Sequence, residues 1–238
     1  MISIVMAYYN RKPLLLNTLK SISQFSKNIL YEVIVIDDGS SEEHNLREVE
    51  GIKLIEIPQE KKTWVNSCIP FNVGFKEAKG DIIIIQNPEC EHVGNILEHA
   101  EQNVADSNYI SYGCYSLPEN GDKTIIDRSV TIEGQLGWYN HSIYRPTNYH
   151  FCSAITKKNL EELGGFDERF ANGIDYDDNE FLTRIKRKKL SIQLVNSPFV
   201  FHQYHYNPNY RPYGGTNKEL FDQILREDKI KVNENYSN

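Results

Sequence analysis

YEVIVIDDGS, residues 31–40, decides the fold. Its first part, Glu32–Ile36, is a near-continuous apolar run, the composition of a strand buried on both faces of a parallel sheet. Its second part, Asp37-Asp38-Gly39-Ser40, is a turn sequence, in which short polar side chains bond the nearby backbone and Gly supplies conformations other residues avoid. Ser40 and Glu43 have the spacing of a capping box for a short helix. A buried strand that stops on polar side chains is the pattern of an open α/β sheet. Such sheets bind ligands beyond the carboxyl ends of their strands.

The pattern repeats outward from that segment. Ile2–Met6 reads as a strand, and Pro13 opens a helix with Leu15, Leu19 and Ile22 on one face. Lys53–Ile57 is a third strand, and Asn66–Lys79 a helix with Gly80 as its C′ residue. Ile82–Ile85 is the most apolar strand, and Val93, Ile96, Leu97, Ala100 and Val104 trace the stripe of a further helix. Strands alternating with helices at this spacing predict a parallel sheet with right-handed crossovers.

Beyond residue 105 the order is less regular. Tyr109–Cys114 and Phe151–Ile155 read as strands separated by a polar and aromatic stretch, Ser116–His150, whose length marks a functional segment. Thr156–Leu163 and Asp177–Lys188 read as helices, and Leu190–Leu194 and Phe199–Phe201 as two short strands. NPNYRPYGGT, residues 207–216, is a loop, followed by a helix near Lys218–Arg226.

Composition narrows the function. With 238 residues the chain can bury the core of one α/β domain. Its 26 basic and 33 acidic residues leave a net charge of −7, which excludes a chain that grips nucleic acid through phosphates. The basic run Lys186–Lys189 reads as a solvated helix end. Cys68, Cys90, Cys114 and Cys152 form no CxxC pair and read as separate thiols of a reducing compartment. The first residues lack the long apolar core of a secretion signal, and no stretch approaches the ~20 apolar residues of a membrane span. The expectation is a soluble, cytoplasmic protein, with a peripheral membrane contact left open but not indicated.

Three strand ends then carry the chemistry. The first finishes in Ala7-Tyr8-Tyr9-Asn10-Arg11, the second in Asp37-Asp38-Gly39-Ser40 and the fourth in Gln86-Asn87-Pro88-Glu89. Aromatic and acidic groups side by side suit a stacked base and a cation.

Taken in order, MISIVMAYYNR, YEVIVIDDGSS, PFNVGFKEAKGD and GGFDERFANGIDYDDNEFLTRIKRK resemble the successive blocks of glycosyltransferase family 2, over residues 1–205. The resemblance implies an α/β chain of the GT-A fold: a Rossmann-like nucleotide-binding half with a mixed, mainly parallel sheet, joined to an acceptor-binding half. It places the nucleotide-sugar half at residues 1–105, the acceptor half at 106–206, and a C-terminal loop and helix at 207–238. It further implies an inverting hexosyltransferase-like enzyme of glycan biosynthesis, with a UDP-sugar donor, a glycan or other hydroxyl acceptor, and manganese or magnesium (Mn²⁺ or Mg²⁺). By the same resemblance Tyr9 stacks on the base, Asp38 reads its N–H and Asp37 braces the turn. Ala7, Arg11, Trp64, Asn66, Asn87 and Glu89 complete the donor site, with Asn72 and Gly74 as a recurrent Asn-x-Gly.

The metal motif departs from the family. Where an Asp-x-Asp is usual, this chain has Asn87-Pro88-Glu89, so Glu89 stands at the metal-binding position with one methylene more of reach. His202 matches a second ligand after the strand Phe199–Phe201, with His205 as the weaker alternative. In Asp177-Asp178-Asn179-Glu180-Phe181 the resemblance makes Asp178 the catalytic base, beside Asp177 at the acceptor. Arg184 is placed to pair with Glu180 one turn on. Trp138 and Tyr139, within Gly137–His141, and the segment Arg145–His150 supply the aromatic rim that sugars favour. Tyr210, Arg211 and Tyr213 form a candidate lid. A catalytically silent nucleotide-sugar or glycan-binding module of the same fold is the alternative, favoured by Asn87 and opposed by Asp178.

Overall fold

A computed structural model describes residues 1–26, 28–124, 126, 137–205 and 216–234. The strands are β1 (Ile2–Tyr8), β2 (Tyr31–Asp37), β3 (Lys53–Glu56), β4 (Ile82–Gln86), β5 (Cys90–Val93), β6 (Asn108–Ser116), β7 (Gly137–Asn140), β8 (Cys152–Thr156) and β9 (Ser191–His202). The α-helices are α1 (Lys12–Phe25), α2 (Cys68–Glu77), α3 (Ile96–Asn103), α4 (Lys157–Leu163), α5 (Asp177–Arg187) and α6 (Lys218–Ile224).

One sheet runs β3-β2-β1-β4-β8-β6-β9-β5, with β7 paired to β6. Its first four strands are parallel, and β8 joins them antiparallel to β4. The parallel half is apolar on both faces for a visible reason. Ile4, Met6, Val33, Val35 and Ile84 bury on one side with Leu15 and Ile22 of α1. Val5, Ile34, Ile36, Ile83 and Ile85 bury on the other with Phe71 and Phe75 of α2. Alternate residues of each strand thus meet different helices. Helix α2 comes very close to the sheet at Gly74, where an added Cβ would lie 2.3 Å from Ile36 Cδ1.

Several expectations change. Gly80 is not a helix C′ residue: α2 stops at Glu77, and Gly80 instead packs on Ser3, whose Oγ accepts its N–H at 2.7 Å. Ser40 forms no capping box. The short helix is a 3₁₀ turn, Glu42–His44, capped by Ser41 without a side-chain bond, while Ser40 Oγ accepts from Asn10 N at 3.0 Å. Val93 leaves the α3 stripe for β5, which pairs antiparallel with β9. The two strands expected after α5 are one, β9, irregular opposite Tyr112 and Gly113. The basic run is not merely solvated, since Arg187 donates to the carbonyls of Ile224 and Leu225 and ties α6 to α5.

All four cysteines are free and buried. Cys90, Cys114 and Cys152 share one core cluster, where burial pushes the Cys90 and Cys152 thiols up. No helix among the described residues is long and apolar enough to cross a membrane.

Candidate active site

The parallel register fixes the first part of the site. Tyr8 pairs with Asp37 at the ends of β1 and β2, so Tyr9 and Asp38 leave the sheet side by side. Asp37 turns back, accepting the Ser40 N–H at 2.9 Å and bracing the turn. Asp38 is held at both carboxylate oxygens: Trp64 Nε1 donates to Oδ1 at 3.0 Å and Lys62 Nζ lies 2.7 Å from Oδ2. Burial raises the Asp38 carboxyl above its ordinary value, with Lys62 and Trp64 opposing. Lys62 Nζ also sits 4.4 Å from the centre of the half-exposed Tyr9 ring. The sequence reading overlooked Lys62, for a lysine in a polar loop carries no local signal.

A cleft of about 540 Å³ opens here. It is lined by Ala7, Tyr9, Arg11, Asp38, Trp64, Asn66 and Asn87 on one side, and by His150, Asp175, Asp177 and Asp178 on the other. Asn72 and Gly74 are not part of it. Asn72 links α2 to the segment after α4, donating to Phe166 O at 2.8 Å and accepting the Phe166 N–H at 2.8 Å.

Glu89 lies beneath the cleft, reached through Arg11, and is only 2% exposed. Its Oε1 is 2.9 Å from Arg11 Nη1, 3.2 Å from His202 Nε2 and 3.5 Å from His205 Nε2. Its Oε2 is buried with no hydrogen-bond partner among the described residues. Burial alone would push this carboxyl up, but Arg11 and the two histidines hold it well below the usual carboxylate range. Pairing of β5 with β9 produces the cluster: Cys90 faces His202, and Gln203 N–H bonds Glu89 O at 3.1 Å. The ligand atoms of Glu89, His202 and His205 lie within 4.8 Å of one another. One carboxylate with an orphaned oxygen and two imidazoles fit a divalent cation. His205 therefore stands with His202, where the sequence had made it the weaker alternative.

Asp177 and Asp178 open α5 after Asp175 and Tyr176, both with left-handed backbone (φ 63° and 68°). Asn66 Nδ2 donates to Asp177 Oδ1 at 3.0 Å. His150 meets Asp178 Oδ1 through its backbone N–H, at 3.0 Å, and again through ring Nδ1. Burial and then the Asp178 charge push the Asp177 carboxyl up. Burial would lower the His150 imidazole, but the charges of Asp178 and Asp177 reverse this and raise it. The ligand atoms of this trio also lie within 4.8 Å of one another. Within this trio His150 and Asp178 bond each other, and Asp177 takes the Asn66 amide.

Glu180 faces the core instead, paired with Arg184 at 2.5 and 2.7 Å. Trp138 and Tyr139 are not among the residues lining the cleft. Trp138 is buried against Tyr115 and Phe201, because β7 turns that side of its pleat inward. Tyr139 packs beside His202 and Phe151. Tyr210, Arg211 and Tyr213 lie outside the described residues.

A parallel nucleotide-type sheet extended by antiparallel strands, with acidic groups converging past its strand ends, defines the GT-A class of fold. The pattern of glycosyl transferase family 2 matches residues 3–164, and the chain belongs to that family. It is 26% identical to a chondroitin synthase of Escherichia coli over 239 residues, 85% of this chain and 34% of that protein. The chain spans about a third or less of the length of the first curated relatives it matches. The structure of S. aureus TarS 1–349 in complex with UDP-GlcNAc superposes with a TM-score of 0.65 over 94% of this chain and 64% of that one, at 13% identity. Mannosyltransferase PcManGT from Pyrobaculum calidifontis, in complex with GDP-Man and Mn²⁺, gives 0.60 over 88% and 58%, at 14% identity.

Proposed function

We propose that this chain transfers a sugar, with inversion, from a UDP-sugar to a hydroxyl of a glycan. The observation that carries the reading is the single cleft onto which Asp38, Arg11 and Asp178 all open, with Glu89 directly behind Arg11. Family membership, the UDP-GlcNAc bound by the TarS neighbour and the glycan named in the chondroitin synthase relative support it.

In this reading the base stacks on Tyr9 and gives its N–H to Asp38, an acceptor-only group. Its entry displaces Lys62 from the ring and from Oδ2. Arg11 and the site formed by Glu89, His202 and His205 face the diphosphate. A divalent cation bound by those three residues supplies charge neutralisation for the leaving group. Two imidazoles beside one carboxylate suit Mn²⁺ better than Mg²⁺, which prefers an oxygen shell. Asp178 takes the proton of the acceptor hydroxyl as its oxygen bonds the anomeric carbon from the far side, and the bond to the diphosphate oxygen breaks. Residues 1–105 hold the donor and 106–206 the acceptor. The four free thiols support a cytoplasmic setting.

Calorimetry with UDP and UDP-sugars, in Mn²⁺ and in EDTA, tests the donor half of the proposal. Binding that needs the cation and is lost in Glu89→Ala is the expected result. Absence of any nucleotide binding would leave the silent glycan-binding module, the reading that Asn87 favours. Cation-independent binding would keep the donor and remove the metal.

A further inference from the structure

His150 makes two contacts with one atom. Its backbone N–H and its ring Nδ1 converge on Asp178 Oδ1, so the histidine occupies one carboxylate oxygen and not the other. A carboxylate only accepts, so Nδ1 carries the proton in this contact. The ring is packed edge-on against Phe71, with centroids 5.4 Å apart, and against Phe166 at 4.7 Å. Its side chain is 9% exposed, against 26% for Asp178. The partner is thus fixed in the core, while the carboxylate it holds faces the cleft.

Resting on the reading of Asp178 as base, we infer that His150 is its positioning residue: it fixes the carboxylate for the acceptor hydroxyl and selects Asp178 over Asp177 as proton acceptor. The neighbouring charges support this. The α5 side presents Asp177 and Asp178, with Asp175 just before them; the phenols of Tyr109 and Tyr149 also lie near Asp178. Helix α2 presents Cys68, close to Asp177, and the apolar Phe71. Among these, the cation-capable group bonded to either carboxylate is His150, and it is bonded to Asp178. The side-chain bond to Asp177 among the described residues comes from the neutral amide of Asn66. A hydrogen-bond donor that can carry charge fixes the carboxylate it faces more firmly than a neutral amide does. During transfer the hydroxyl proton moves to Asp178, while the His150 proton stays on Nδ1.

Two measurements on the 238-residue chain test the assignment. In histidine-ring NMR, with His150→Asn identifying the resonance, the His150 titration midpoint falls to lower pH in Asp178→Asn. An unmoved midpoint overturns the pairing, whether or not the chain transfers sugar. The second measurement is steady-state release of UDP from UDP-N-acetylglucosamine, or from the donor that calorimetry selects. There His150→Ala lowers kcat by about tenfold to a hundredfold, leaves donor KM and UDP binding unchanged, and moves the acid limb of kcat to higher pH. His150→Asn, whose amide N–H replaces Nδ1–H, recovers most of the rate. Wild-type kcat in His150→Ala overturns the inference, and so does joint loss of UDP binding and turnover, the mark of a purely structural residue. Undiminished turnover in Asp178→Asn overturns the base reading and this inference together. Failure of the wild-type chain to bind any nucleotide defeats the proposed function alone and leaves the NMR result to decide the pairing.

Discussion

Helix α5 carries two acid–base pairs within one turn of each other, and they are built in opposite ways. Glu180 and Arg184 are each 1% exposed and meet through two bonds, at 2.5 and 2.7 Å. The guanidinium also donates to the carbonyls of Leu163, at 2.7 Å, and Gly165, at 2.9 Å. Neither residue of that pair lines the cleft. Asp178 and His150 come from elements far apart in the chain, and Asp178 stays a quarter exposed at the cleft. The first pair uses a cation that never titrates, whereas the second uses one that does. A closed pair holds the helix on the core; an open, titratable pair on the same helix is fit to move a proton.

The comparison breaks most sharply at Asp178. Asp178→Asn is expected to lower turnover by roughly 10²–10⁴-fold, with the urea midpoint close to wild type. A stability loss equal to the activity loss would erase the distinction between the pairs. Arg184→Ala should do the reverse. It strands a buried carboxylate and costs about 3–5 kcal/mol in urea unfolding, while Arg184→Met with Glu180→Met comes out near neutral.

Glu89 sharpens the contrast, being as buried as Glu180 yet with one oxygen unpaired among the described residues. Glu89→Gln should weaken UDP binding in Mn²⁺ by about tenfold to a hundredfold and leave binding in EDTA unchanged; equal effects in both would make Glu89 a structural anion for Arg11.

The smallest effect is the pH dependence of stability. The folded His150 value is raised above the ordinary 6.5. The stability contributed by its pair with Asp178 is therefore fully present below about pH 6.5 and is lost as pH rises through the folded value. Urea midpoints measured across that range should show this decline in wild type and a flatter curve in His150→Ala. Arg184 adds no such slope there, because arginine stays charged.

Legibility followed the distance over which a signal acts. The DDGS turn, the apolar strands and the acidic start of α5 are each written in a few consecutive residues. Strand β5 was missed because Val93 fits the α3 stripe as well as it fits a strand, and four residues are too short to show a period of two. Trp138 looked like a sugar platform because aromatic composition does not say which side of a strand faces solvent. Lys62 gave no signal, His205 stood only second to His202, and His150 was read only as part of the acceptor rim, since their partners Asp38, Glu89 and Asp178 lie 24, 116 and 28 positions away in the chain.

The sequence alone determined the alternation of strand and helix, the polar strand ends and the carboxylates that stand there, because hydrophobic period and turn chemistry are local properties of the chain. Only the tertiary structure decided which histidine meets which carboxylate. That depends on register, on β5 lying against β9 and on the approach to β8 crossing α5, and register is set by the packing of the whole core rather than by any segment in it.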